Sequence, residues 1–108
     1  MESFRAGKLM RIFVDENDRS GMQPMYTAVV ETLRKAGISG ATVLRGVEGF
    51  GSRQAVHVAK VFSWSPNLPI VIEVVEDEAS IERVVPALQA MIGEGLITIE
   101  ATTYLRIG

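Results

Sequence analysis

The sequence predicts an α+β fold with the element order β-α-β-β-α-β. Four segments carry the apolar patterns of strands, and two longer segments carry apolar residues at the three- and four-residue spacing of helices. Glycine, proline and polar residues separate these segments. The composition agrees with one globular domain, because 47% of the 108 residues are hydrophobic and 22% are charged.

The first strand and the first helix are separated by a polar turn. Residues 8–14 (KLMRIFV) alternate between two faces, which predicts a strand, and residues 15–23 predict a loop. Pro24 suits the first turn of a helix that runs to Ala36, and Gly37 ends it. The apolar stripe of this helix consists of Met25, Val29, Leu33 and Ala36.

The second and third strands flank a long irregular segment. Residues 41–48 and 69–75 have strand patterns, and the chain between them begins with Gly49-Phe50-Gly51. A loop of this length in a small domain is usually functional or disordered. We therefore expect a mobile loop over about residues 50–66.

The second helix follows the third strand. The acidic pair 77–78 favours a helix N-terminus, and Ser80 is the candidate cap. Pro86 predicts a kink or an irregular first turn, and Gly93 ends the helix. Residues 96–107 alternate cleanly and predict the fourth strand. The apolar stripe of the helix consists of Ile81, Val84, Val85, Leu88, Met91 and Ile92.

This order predicts a ferredoxin-like, four-stranded antiparallel sheet with both helices on one face and strand order 4-1-3-2. The strand of Arg11 would then lie between those of Glu73 and Glu100, so that charge pairs form across the strands. The other sheet face is either half-exposed or buried against further subunits. Its predicted members are Leu9, Arg11, Phe13, Arg45, Glu73, Glu100 and Tyr104.

Composition narrows the function classes. A net charge of −2 argues against a general nucleic-acid binder, and the lack of cysteine excludes disulfides and thiolate metal sites. No apolar run is long enough to span a bilayer, and we expect a cytoplasmic protein without direct membrane insertion. Residues 1–7 are expected to be a flexible lead-in, and residues 8–108 the domain.

Gly49-Phe50-Gly51 is the most informative local motif. Glycines on both sides of an aromatic residue permit tight turns and the close approach of a ligand. Successive backbone N–H groups there can bind phosphate, and Arg53 can add a charged contact. The alternative is that Phe50 simply packs on the core.

Other reactive side chains give weaker indications. His57 is the single histidine, and without cysteine it cannot make a typical zinc site. The acidic cluster Asp15, Glu16 and Asp18 is either a cation site or a solvated turn with Arg19 as partner. No serine lies in a hydrolase motif, so we do not expect an enzyme.

Four segments resemble one known family. They are LMRIFV, QPMYTAVVETLRKAGISGATVLRGVEGFG, LPIVIEVVEDE and GEGLITIE, which lie between residues 9 and 100, and the resemblance as a whole covers residues 9–107. They are similar to PII signal-transduction proteins, and more closely to the uncharacterised PII-like branch known as domain of unknown function 190.

The resemblance implies a homotrimer with small-molecule sites in the clefts between subunits. Ligand-binding positions would be Gly49, Phe50, Gly51 and Arg53, with an adenine nucleotide as the candidate effector. The loop would bind a protein target, such as a membrane transporter or an enzyme. The expected partner-binding residues of this loop are Ser52, His57, Lys60 and Trp64.

The chain departs from true PII proteins in three places, and the first is the segment between Thr42 and Gly49, which is one residue longer. The turn before the last strand holds only Gly93-Glu94-Gly95 instead of a glycine-rich, lysine-containing phosphate loop, and residues 52–65 contain no tyrosine to modify. Three functions therefore remain open. They are a ligand-sensing regulator, a ligand-independent interaction module or transporter accessory, and a small enzyme using His57 and Arg53.

Overall fold

A computed structural model describes residues 3–51, 57–58 and 67–108. The elements in chain order are β1 (Arg5–Asp15), β2 (Arg19–Ser20), β3 (Gln23–Pro24), α1 (Met25–Lys35), β4 (Thr42–Arg45), β5 (Glu48–Gly49), β6 (His57–Val58), β7 (Pro69–Glu76), α2 (Glu78–Met91) and β8 (Leu96–Tyr104).

The main sheet has four antiparallel strands in the order β4-β7-β1-β8. This is the predicted order 4-1-3-2 read along the sheet, so the ferredoxin-like arrangement is confirmed. On β1, Met10 lies opposite Val74 of β7 and Ile99 of β8. Two-residue ladders join β2 to β3 and β5 to β6.

The core lies between one face of the sheet and the two helices. The central strands β1 and β7 and both helices bury, fully or in part, the apolar positions that the sequence periodicity predicts, whereas Ile99 of the edge strand β8 is 46% exposed. Aliphatic side chains fill the core. Each Å² of apolar surface that they remove from water stabilises the fold by about 25 cal/mol. The members of the core from the central strands and helices include Met10, Ile12, Ile72, Val74, Val29, Leu33, Ile81, Val84 and Leu88.

The end of α1 is determined by the residues that follow it. After α1, the Gly37 N–H donates to Arg34 O and the Ile38 N–H to Leu33 O, each over 3.1 Å, with Gly37 at φ +86°. These two bonds form the Schellman motif, which favours glycine at this position. The predicted stop at Gly37 is confirmed.

The residue that caps the start of α2 is not Ser80, the one predicted from the sequence. The cap is Asp77, whose side chain accepts a hydrogen bond from the Ser80 N–H at 2.8 Å. Ser80 therefore supplies the donor and not the capping oxygen. The helix is continuous through Pro86, whose side chain is exposed, and its first turn is regular.

Three strand boundaries differ from the predictions because a strand extends only as far as its partners. β1 begins at Arg5 and not at residue 8, since Arg5 lies opposite Tyr104. For the same reason β8 ends at Tyr104 and not at residue 107. The predicted strand 41–48 is divided, because Thr42–Arg45 pairs with β7 whereas Glu48–Gly49 pairs with His57–Val58.

Candidate functional site

The sheet face without helices carries a charged row at its centre. The Arg11 Nε donates to Glu73 Oε2, and its Nη1 donates to Glu100 Oε1, both over 2.8 Å. Hydrogen bonds to Glu73 and then to Glu100 raise the pKa of Arg11. The predicted charge pairs across three strands are confirmed.

Arg45 does not belong to this face. It lies opposite Ile70 in the β4–β7 register, and Ile70 is a core residue on the helix side of the sheet. Residues opposite each other share a face, so the predicted position of Arg45 was wrong. The pairing of β4 with β7 determines on which face each β4 residue lies. The division of the predicted second strand is therefore not the cause of the wrong position predicted for Arg45.

An apolar row runs beside the charged row and crosses all four strands. Leu44 lies opposite Val71, Val71 opposite Phe13, and Phe13 opposite Leu96. Phe13 and Val71 are half-buried, whereas Leu44 and Leu96 are 46% and 58% exposed. We call Leu44, Val71, Phe13 and Leu96 the apolar row.

The chain that leads into the candidate loop packs on one proline ring. The Gly46 N–H donates to Pro69 O at 2.7 Å. A Cβ at Gly46 would lie 2.7 Å from Pro69 Cγ, and one at Gly49 would lie 3.0 Å from it. Both glycines thus allow the backbone to approach the start of β7 closely. We call residues 45–49 and 67–69 the loop base.

The motif Gly49-Phe50-Gly51 starts at the short β5–β6 ladder. Gly49 lies opposite His57, so the structure brings these two predicted residues together through their backbones. Phe50 is 69% exposed, which excludes the alternative that it packs on the core. A Cβ at Gly51 would meet nothing within 4 Å. Ser52, Arg53, Lys60 and Trp64 lie outside the described residues.

The acidic cluster after β1 forms hydrogen bonds and an ion pair with other groups of the chain. Asp18 accepts a hydrogen bond from the Asp15 N–H at 3.0 Å, and Glu16 pairs with Arg45 at 2.9 Å. Arg19 donates to Met22 O at 2.6 Å, and it forms no ion pair with another residue of the described ranges, contrary to the expectation of a partner in this cluster. Among residues 3–51, 57–58 and 67–108, no group of three acidic or histidine side chains is placed to hold a metal ion.

Glu76 was not predicted to have a role, yet it is the one buried charged residue among those described. Its carboxylate accepts hydrogen bonds from Ser39 N at 3.0 Å, Ser39 Oγ at 2.9 Å and Arg106 Nη2 at 3.2 Å. Burial by itself raises the pKa of Glu76, but the Ser39 hydrogen bonds and the Arg106 charge outweigh burial and leave the pKa lowered. The Arg106 guanidinium also lies 5.2 Å from the centre of the Tyr104 ring.

A groove of about 350 Å³ lies near the start of β1, next to Lys8 and Glu78. Its lining includes none of the ligand-binding or partner-binding residues predicted from the sequence. It is at the opposite end of β1 from Asp15, which pairs with Pro69 of the loop base. Its remaining lining residues are Ala6, Gly7, Ala101, Thr102 and Thr103.

Comparison with known structures agrees with this fold. CPII, a nitrogen regulatory PII-like protein from Thiomonas intermedia K12 that was solved with ADP, AMP and bicarbonate, matches with a TM-score of 0.68 at 17% identity, over 96% of this chain and 92% of that one. A putative PII-like signaling protein from Thermus thermophilus matches with a TM-score of 0.63 at 17% identity, over 96% and 92%. Within the described part of the chain, neither helix has the length and apolarity needed to cross a bilayer.

Comparison of sequences identifies the family. A UPF0166 protein of Methanocaldococcus jannaschii is 41% identical over 93 residues, which cover 85% of each chain. A UPF0166 protein of Aquifex aeolicus is 33% identical over 93 residues, which cover 86% of this chain and 88% of that one. The family model DUF190, described as Uncharacterized ACR, matches residues 7–104. This chain, with its PII-like fold, therefore belongs to the DUF190 family.

Proposed function

We propose that this protein is a cytoplasmic PII-like signalling protein. It assembles as a homotrimer, senses a small effector in the clefts between subunits, and binds a protein target through the loop at residues 50–66. An adenine nucleotide is the first candidate effector. The protein regulates its target and catalyses no reaction itself.

The observation that carries this proposal is the combination of a PII-like fold with an exposed Gly49-Phe50-Gly51 motif. Phe50 is 69% exposed, and no described side chain fills the space at Gly51. A ligand can therefore reach the backbone N–H groups of this motif without displacing the core. CPII, the protein with the similar fold, was solved with ADP and AMP.

The apolar row supports the assembly. A face that exposes apolar side chains across all four strands is unusual for a monomer and typical of a subunit interface. Arg11, Glu73 and Glu100 pair within the chain, so burial of this face against other subunits would not leave the Arg11 charge unpaired.

The effector is tested by a thermal-shift titration with ATP, ADP, AMP and cyclic nucleotides, each with and without magnesium. A ligand at about 100 times its dissociation constant stabilises the fold by roughly 2.7 kcal/mol. We expect a saturable shift that Arg53→Ala reduces. Arg34→Ala, which removes an exposed arginine from the last turn of α1, is the matched control and should retain the shift. A flat panel with wild-type protein would count against nucleotide sensing.

A second candidate is an interaction module or transporter accessory that binds its target without a ligand. The exposed side chains of Val47 and Phe50, at 74% and 69%, favour it, because two large apolar groups beside the loop can bind a protein directly. Target capture of equal strength from dialysed and nucleotide-supplemented buffer would support this second function over sensing.

A further inference from the structure

One carboxylate touches both sides of the loop base. Glu16 Oε1 lies 2.9 Å from Arg45 Nε, and Glu16 Oε2 accepts hydrogen bonds from Arg45 Nη2 at 3.1 Å and from Leu68 N at 3.3 Å. Arg45 is the last residue of β4, and Leu68 directly precedes β7. Glu16 therefore links the chain that leads into the loop with the chain that returns from it.

The carboxylate is held in place by the backbone around it. The Glu16 N–H donates to Leu68 O at 2.8 Å, and Asp15 pairs with Pro69 at the end of the β1–β7 ladder. The Glu16 side chain is 23% exposed, so water screens its contact with Arg45 less than it screens a fully exposed ion pair. The backbone of Glu16 is thus already ordered when its side-chain contacts form.

A backbone hydrogen bond joins the same two stretches of chain beside the Glu16 carboxylate. It runs from Gly46 N to Pro69 O at 2.7 Å. Without the carboxylate, residues 45–46 and 68–69 would keep this backbone bond at the end of the β4–β7 ladder but would lose the side-chain bridge. The spacing of the two sides would then be less constrained.

We propose that Glu16 is a positioning residue that sets the geometry of the loop base. Its carboxylate bridges Arg45 and Leu68, and this bridge fixes the distance and direction at which residues 50–66 leave and rejoin the sheet. A loop base of fixed geometry has fewer conformations to lose when a ligand binds next to it. The effect on ligand binding rests on the function proposed above, whereas the bridge itself does not.

The bridge is tested by amide hydrogen exchange at Leu68, with Ile72 in the core of β7 as the reporter of global stability. In Glu16→Ala, Leu68 loses its acceptor, and we expect its exchange to accelerate roughly tenfold relative to Ile72. Arg45→Ala should accelerate it less, because the Leu68 acceptor remains. Glu16→Gln, which retains an acceptor oxygen without the charge, should restore most of the protection.

The control is Glu82→Ala, which removes an exposed carboxylate from α2. It should leave the exchange rate of Leu68 relative to Ile72 at the wild-type value. Unchanged relative exchange of Leu68 in Glu16→Ala would overturn the bridge. If Glu16→Gln and Glu16→Ala lose the same amount of protection at Leu68, the oxygen retained by Gln does not accept the Leu68 hydrogen bond. This result would also overturn the bridge.

The effect on the loop is tested by calorimetric titration of ADP. We expect Glu16→Ala to bind ADP several-fold more weakly than wild type, and Glu82→Ala to bind it equally well. Faster Leu68 exchange together with unchanged ADP affinity would overturn the coupling between the bridge and the loop. If the wild type binds no ADP, the proposed effector fails, and the exchange experiment still decides whether the bridge exists.

Discussion

Glu76 is a buried carboxylate whose partners come from two other parts of the chain. Ser39 lies between α1 and β4, and Arg106 lies after β8. Glu76→Ala would remove the shared acceptor of the Ser39 and Arg106 hydrogen bonds and should lower the free energy of unfolding by about 2 kcal/mol. Urea denaturation measures this loss, and Glu82→Ala is the exposed control. A loss no larger than that of Glu82→Ala would contradict the buried role of Glu76.

The same residue predicts a pH dependence. Its pKa is lowered in the folded protein, so the unfolded chain binds a proton at higher pH than the folded chain does. The resulting stability is fully present above the ordinary glutamate pKa of about 4.3 and is lost as the pH falls through the lower folded value. Wild type and Glu76→Gln should therefore differ most at neutral pH, and the difference should shrink as the pH falls below the ordinary glutamate pKa. A difference that persists in acid would contradict this assignment.

The sequence predicts some of these side-chain contacts better than others. The Arg11 pairs follow from alternation and strand order, because both place Arg11 next to Glu73 and Glu100. The Glu16–Arg45 pair joins a loop to the far edge of the sheet, and no local pattern indicates it. No local pattern indicates the contacts of Glu76 either, because its partners Ser39 and Arg106 lie in irregular segments.

At the scale of elements, the end of α1 depends on a backbone conformation that glycine adopts most easily. Gly37 has φ +86°, and Gly37→Ala should destabilise the protein by about 1 kcal/mol. Gly40→Ala is the matched control, because Gly40 lacks a positive φ and a Cβ there meets nothing within 4 Å. Thermal unfolding of both variants checks the prediction, and equal midpoints would refute it.

The loop base predicts coupling between a glycine and a proline. In Gly46→Ala the new Cβ would collide with Pro69 Cγ at 2.7 Å and should cost about 1–3 kcal/mol of stability. Adding Pro69→Ala removes the colliding atom, so the double variant should lose less than the sum of the two single variants. Denaturant unfolding of all three variants measures the coupling. If the losses of the two single variants simply add in the double variant, the contact with Pro69 is not the cause of the loss in Gly46→Ala.

The division of the predicted second strand could not be read from residues 41–48. Their pattern is compatible with one strand, and the division arises because Glu48–Gly49 pairs with His57–Val58 and not with β7. Helix positions were easier to predict, since apolar spacing and glycine stops are local signals. The cap at Asp77 was missed because Asp77 and Ser80 are both good capping residues, and only the backbone geometry distinguishes them.

At the scale of the whole molecule, the apolar row predicts where the subunits of the proposed trimer contact one another. Leu96→Glu and Leu44→Glu place charges on exposed positions of this row and should convert a trimer into monomers, because an unpaired carboxylate is costly to bury. Light scattering coupled to size exclusion measures the mass. Met22→Glu, at a position 94% exposed outside the main sheet, should leave the trimer intact. A trimer that tolerates both row variants would place the interface elsewhere.

The fold was predictable because local pattern and topology agree over most of the described chain. Strand order, helix placement and the core face all follow from periodicity and from the rules for split βαβ arrangements. The candidate site was predictable only as a motif. The proposed binding by the loop would depend on residues 52–56 and 59–66 and on neighbouring subunits, and neither leaves a periodic signal in a single sequence.

The packing of Gly46 and Gly49 on one proline ring has a consequence for the evolution of the family. Three positions share one small volume, so a side chain at Gly46 is compatible only with a smaller residue at position 69, whereas one at Gly49 requires the proline ring to shift by a few tenths of an ångström. Relatives in which Gly46 is replaced should therefore lack proline at the position of Pro69. The substitution at the proline should have come first, because the opposite order passes through a sterically strained intermediate.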